Sequence, residues 1–138
     1  MTAVEAIIAS APDDLARARQ LVADLAAAEN LPAEAVFDLN VILDEVLSNI
    51  TKYGYDDNRR HEIRLRMAVA DGVLEVEIED DARPFNPLTL PAPDLSLPLA
   101  ERPVGGLGWH FVRSLVNEAE YARVANHNRL ILRKSLNR

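Results

Sequence analysis

Between residues 62 and 79 apolar and polar positions alternate. Ile63, Leu65, Met67 and Val69 are interleaved with Glu62, Arg64, Arg66 and Ala68, and Leu74, Val76 and Ile78 with Glu75, Glu77 and Glu79. A period of two sends one set of side chains to a core and the other to water, which predicts two strands with one wet face. The only break is Asp71-Gly72, a pair that accepts the positive φ of a two-residue hairpin turn, so the strands are adjacent and antiparallel. Upstream the period is helical. After a short strand candidate at 3–9, Pro12-Asp13-Asp14 opens a helix with Leu15, Ala18, Val22 and Leu25 on one face, ending near Asn30. Pro32 suits the first turn of a longer second helix, in which Val36, Leu39, Leu43, Val46, Leu47 and Ile50 recur until Gly54.

Residues 84–103 hold six of the eight prolines and keep neither period, which reads as a long loop of the kind that serves as a lid or binding loop. A third helix after Gly105-Gly106-Leu107-Gly108 runs through Trp109, Val112, Leu115 and Val116. Two last strands, near 119–125 and 129–136, are separated by a turn at Asn126-His127-Asn128. This order predicts an α+β, two-layer α/β sandwich, a mixed but mainly antiparallel sheet with helices on one face, in a single domain spanning 1–138.

Composition narrows the function classes. A formal charge of −7, with the 15 Lys and Arg spread along the chain, opposes direct nucleic-acid binding, which needs a basic stripe. Without cysteine there are neither disulfides nor zinc-thiolate sites, and three scattered histidines have no ligand spacing, so any metal must sit on oxygen donors. No apolar run is long enough to span a membrane and no secretory signal opens the chain, which makes a soluble cytoplasmic protein the expectation.

Three places break the pattern. Glu45, Asn49 and Lys52 form a stripe along the second helix beside its apolar arc, and such oxygens can accept a proton and ligate Mg²⁺. From spacing alone, a solvated face with an i,i+4 contact is the simpler reading. Asp80 keeps the parity of Leu74, Val76 and Ile78, so it faces the helices if the strand reaches that far and starts a turn if it does not. Three of the five glycines cluster at 105, 106 and 108, where a helix start with no Cβ in the way can cradle a phosphate or simply hinge a lid.

Taken in order, LDEVLSNITKYGY resembles the N box, IEDDARPFNP the first glycine box, and RPVGGLGWHFVRSLVNEAEY the second glycine box of the GHKL ATPases, whose nucleotide-binding fold is the Bergerat fold. Within them the chain is most similar to the stand-alone bacterial anti-sigma-factor serine/threonine-protein kinases. The resemblance implies Mg-ATP as ligand, with Glu45 the catalytic base and Asn49 the Mg²⁺ ligand. It places Asn49, Lys52, Asp80, Ala82, Phe85, Gly105, Gly106, Leu107 and Gly108 at the nucleotide and makes residues 86–104 an ATP lid. It also implies a homodimer that sequesters a sigma factor and phosphorylates an anti-sigma-factor antagonist with a STAS domain. The alternative is a regulatory module that binds nucleotide and a partner without kinase activity. One departure stands out: the family's Asp-x-Gly reads Asp80-Asp81-Ala82 here, and a positive φ at Ala82 would strain it.

Overall fold

The computed structural model describes residues 2–57, 59–90, 96 and 106–136. Its five strands are β1 (Thr2–Ala9), β2 (Glu62–Ala70), β3 (Val73–Asp80), β4 (Glu118–Val124) and β5 (His127–Ser135). The helices are α1 (Ala16–Glu29), α2 (Ala33–Tyr53) and α3 (Gly106–Ser114). The sheet runs β1-β2-β3-β5-β4, and every pairing among these strands is antiparallel rather than mixed. The α+β sandwich is as expected. No described helix is long and apolar enough to cross a membrane.

Strand periodicity decides the two faces of the sheet. Ile63, Leu65 and Met67 of β2, Leu74, Val76 and Ile78 of β3, and Leu130 and Leu132 of β5 are buried beneath Leu39, Ile42, Leu43 and Leu47 of α2 in one core. Fully burying such a side chain contributes about 1.5–3 kcal/mol, so α2, with four of them, is the element on which the helix layer chiefly rests. The opposite face carries charge. Arg133 reaches Glu75, Glu118 and Glu120, and Arg129 reaches Glu77. These pairs keep the face wet and add little stability each.

Several local expectations are refined. Pro12-Asp13-Asp14 forms a 3-10 turn, and α1 starts after it. Pro32, with extended ψ, caps α2 instead of entering it, while Asn30 ends α1 in the left-handed conformation. Helix α3 stops at Ser114, leaving Leu115 and Val116 just past its end. At the last hairpin the turn is Ala125-Asn126, both with positive φ, and not Asn126-His127-Asn128. Paired φ values of that sign suit the two-residue turns that match strand twist. Strand β5 therefore begins earlier than expected and takes Asn128 into the sheet, opposite Asp80. In the long loop, residues 87–89 form a 3-10 turn, and 91–95 and 97–105 lie outside the described residues.

A polar tie holds α3 to this frame. Lys134 Nζ on β5 lies 3.0 Å from Asp38 Oδ2 on α2 and donates over 2.9 Å to the carbonyl of Leu115. Asp38 is 7% exposed, so removing its partner strands a carboxylate among apolar side chains. Lys134→Ala should therefore lower folding stability by about 3 kcal/mol. Urea unfolding checks this as a lower midpoint at unchanged slope; an unmoved midpoint would show that the tie contributes nothing.

Candidate functional site

The C-terminal half of α2, the adjoining ends of β3 and β5, α3 and the segment 82–90 enclose a cavity of about 390 Å³. Its walls are largely apolar, with Val46, Ile50, Ile78, Trp109 and Leu130 among them. Polar groups enter at few points, chiefly Asn49, Asp80 and Asn128. A concave, mostly apolar site with a few convergent polar atoms is how proteins hold an aromatic or heterocyclic ligand.

Asp80 lies at the last residue of β3, so the strand does continue that far and its side chain faces the helices. It is 4% exposed. Its Oδ1 accepts from the amide of Ala82 at 3.0 Å and from Asn128 Nδ2 at 3.0 Å. Among the described residues no donor reaches Oδ2, which leaves one acceptor for whatever fills the cavity. Burial pushes the carboxyl above the usual carboxylate range, the two hydrogen bonds pull the other way, and the neighbouring Asp81 adds to the rise.

At the other end of the site, Asn49 Nδ2 donates to Glu45 Oε1 over 3.2 Å, so the two are oriented by each other one turn apart on α2. Asn49 also lines the cavity, and its Oδ1 takes no part in that bond. Glu45 does not line the cavity itself. Its carboxylate presses on Gly108 of α3, so closely that a Cβ there would overlap it. Gly106 opens α3, in agreement with a glycine-rich helix start, while Gly105 lies outside the described residues. Leu107 is placed within α3 by its backbone. Lys52 is exposed and is not part of the cavity wall.

Ala82 and Phe85 both line the cavity, the first buried and the second half exposed at its mouth. Ala82 is not among the residues with positive φ, so the alanine carries none of the backbone strain that the departure from Asp-x-Gly suggested. The space it needs comes from Gly54: a Cβ on Gly54 would stand 2.7 Å from that of Ala82 and 2.6 Å from the Ile50 carbonyl. Gly54 also accepts from the Arg83 amide at 3.1 Å, fastening the end of α2 to the cavity wall. Beside it, Tyr55 stacks on His61 and donates to Asp81 Oδ1 over 2.8 Å. Burial and that hydrogen bond push the Tyr55 phenol far above its usual range.

Two contributors escaped the sequence reading. Asn128, assigned there to a turn, sits inside the sheet at 7% exposure beside Asp80. Tyr121 of β4 lines the cavity and donates to Asn128 Oδ1. Asn128 shares the parity of Leu130 and Leu132, so a polar residue on a buried face was visible in principle. Placing the strand start two residues too late concealed it.

Comparison with known proteins agrees with this fold. The family described as "Histidine kinase-like ATPase domain" matches residues 8–134. Among solved structures, the crystal structure of the RsbU and RsbW domains of Rv1364c from Mycobacterium tuberculosis superposes with a TM-score of 0.71 at 16% identity. The match covers 100% of this chain and 33% of that one, so the chain spans about a third of its length and the likeness is one of fold. No curated protein matches the chain.

Two substitutions test the site before any ligand is added. A carboxyl whose folded pKa is raised contributes stability that is present below its ordinary value of 3.8 and is lost as pH rises through the folded value. Asp80→Asn removes that loss, so its stability relative to the parent should improve as pH is taken from about 3.5 to about 8; a pH-independent difference in urea unfolding contradicts the assignment. In a helix, glycine to alanine ordinarily stabilises by about 1 kcal/mol. Gly108→Ala should forfeit that gain, because the Glu45 carboxylate has to swing aside, and adding Glu45→Ala should recover it. A higher melting temperature in the single variant would mean that the contact is slack.

Proposed function

Because the chain belongs to the histidine kinase-like ATPase family, we propose that it is an ATP-dependent protein serine/threonine kinase that also acts as an anti-sigma factor. The observation that carries this reading is the convergence of Asn49, Asp80, Ala82 and Phe85 on one cavity, with Glu45 bonded to Asn49 and seated against Gly108. The residues fit the ligand. Asp80 Oδ2 is an unengaged acceptor suited to the exocyclic amine of adenine, the apolar wall suits the ring, and the glycine-rich start of α3 suits the phosphates. Lys52 would contribute from the exposed rim.

Asn49 Oδ1 is the hard oxygen that would hold Mg²⁺ together with phosphate and water, which is how that ion is usually bound in phosphoryl-transfer sites. Bound there, Mg-ATP supplies the phosphoryl group and the charge that neutralises it during transfer. Glu45, oriented through its hydrogen bond from Asn49, accepts the proton of an attacking serine or threonine hydroxyl. The protein substrate is an anti-sigma-factor antagonist of STAS type, and the sequestered partner is a sigma factor, bound by a homodimer. Support for these partners is the motif resemblance to the anti-sigma-factor serine kinases. The alternative, a regulatory nucleotide-binding module without kinase activity, drew some of its weight from strain at Ala82. The absence of positive φ there removes that argument.

Calorimetric titration with Mg-ATP should give measurable binding for the parent. Asn49→Ala and Asp80→Asn should each weaken it by about tenfold or more, the cost of leaving one polar group unmatched. Equal affinity in all three proteins would remove the site. Glu45→Gln should bind Mg-ATP yet transfer phosphate to the antagonist about 10²- to 10⁴-fold more slowly. A parent that binds ATP but never labels an antagonist would turn the conclusion to the regulatory module.

A further inference from the structure

Asn128 lines the cavity yet has nothing to offer a ligand. Its carboxamide has two N–H donors and one acceptor oxygen. Nδ2 donates to Asp80 Oδ1 at 3.0 Å and to the Arg83 carbonyl at 2.9 Å, with the Ala82 carbonyl at 3.4 Å. Oδ1 accepts from the Phe85 amide at 3.3 Å and from the Tyr121 hydroxyl. Turning the amide over would set oxygen against the Asp80 and Arg83 oxygens and N–H against the Phe85 N–H, so the network permits one orientation. The register brings this about, since Asp80 and Asn128 are directly paired on β3 and β5 and their side chains share the helix-facing side. The consequence falls on Asp80. With Oδ1 taken by Asn128 and the Ala82 amide, only Oδ2 is presented to the cavity, at a fixed position.

We infer that Asn128 is a positioning residue for base selection: by holding Oδ1 of Asp80 it presents Oδ2 as a pure acceptor, which selects a purine with a 6-amino group over one with a 6-carbonyl. The inference rests on the nucleotide reading above and deepens it. Opposite a 6-amino group Oδ2 receives a hydrogen bond. Opposite a 6-carbonyl two acceptors meet without a proton between them, and a site built around one hydrogen bond rejects the analogue that cannot make it. Asn128 itself touches no ligand in this scheme.

The experiment is calorimetry of the full chain with Mg-ATP and with Mg-inosine triphosphate, which carries a carbonyl oxygen in place of the 6-amino group. The parent should prefer ATP by about tenfold or more. Asn128→Leu keeps a similar volume and adds no titratable group but withdraws the donor that holds Asp80 Oδ1. It should lose most of the preference through weaker ATP binding, with inosine triphosphate little changed. A merely structural role would weaken both nucleotides by the same factor. Tyr121→Phe, which loosens the Asn128 orientation and keeps its donors, should reduce the preference by a smaller factor and decides the matter if Asn128→Leu does not fold. Preference retained in folded variants, or a parent that binds both nucleotides equally, overturns this inference and leaves the nucleotide site standing. A parent that binds neither nucleotide overturns both.

Discussion

A carboxylate withdrawn from water has to be met by donors, and among the described residues Asp80 is met on one oxygen only. Much of the site is arranged around that half-satisfied group. The segment from Ala82 to Phe85 curls back so that the Ala82 amide reaches it, and Asn128 holds that segment through the Arg83 carbonyl and the Phe85 amide. Arg123 of β4 closes the group from outside by donating to the Ala82 carbonyl over 2.8 Å. An acceptor left open in an apolar cavity is costly in the empty protein and becomes useful when a donor arrives. The raised pKa of Asp80 expresses that same cost.

Helix α2 serves core and site at once. Its buried stripe of Leu39, Ile42, Leu43 and Leu47 anchors it to the sheet, and the adjoining stripe carries Glu45 and Asn49 to the edge of the cavity. Side chains next to a packed stripe inherit its rigidity, so Glu45 and Asn49 hold their separation without a dedicated scaffold. Helix α3 completes the arrangement, because Gly108 allows its backbone to approach Glu45 and the Lys134 tie fixes its far end to Asp38. The net charge of −7 then poses no obstacle to an anionic ligand. Local backbone donors, and not the overall field, can decide anion binding at a helix start.

Gly54 and Ala82 illustrate how a departure from a motif is absorbed. The expected strain at Ala82 depended on a positive φ that this backbone does not adopt. The methyl group is accommodated because Gly54, the residue that caps α2, has no Cβ of its own. Gly54 was read as a helix stop, yet its φ of −81 demands no glycine. Close approach to Ile50 and Ala82 does.

The chain's own pattern determined what depends on neighbours in sequence: the period-two runs of β2 and β3, the Asp71-Gly72 turn, the α2 stripe and the inward parity of Asp80. These follow from side-chain direction, which repeats every two or 3.6 residues and is readable without a partner. Tertiary structure alone decided how β1 and the two hairpins are ordered across the sheet. The order β1-β2-β3-β5-β4 inserts β5 next to β3, pairs Asp80 with Asn128, and joins Glu45 to Gly108 across two helices. Such contacts are set by how the apolar faces of distant segments cover one another, and no local periodicity encodes that pairing.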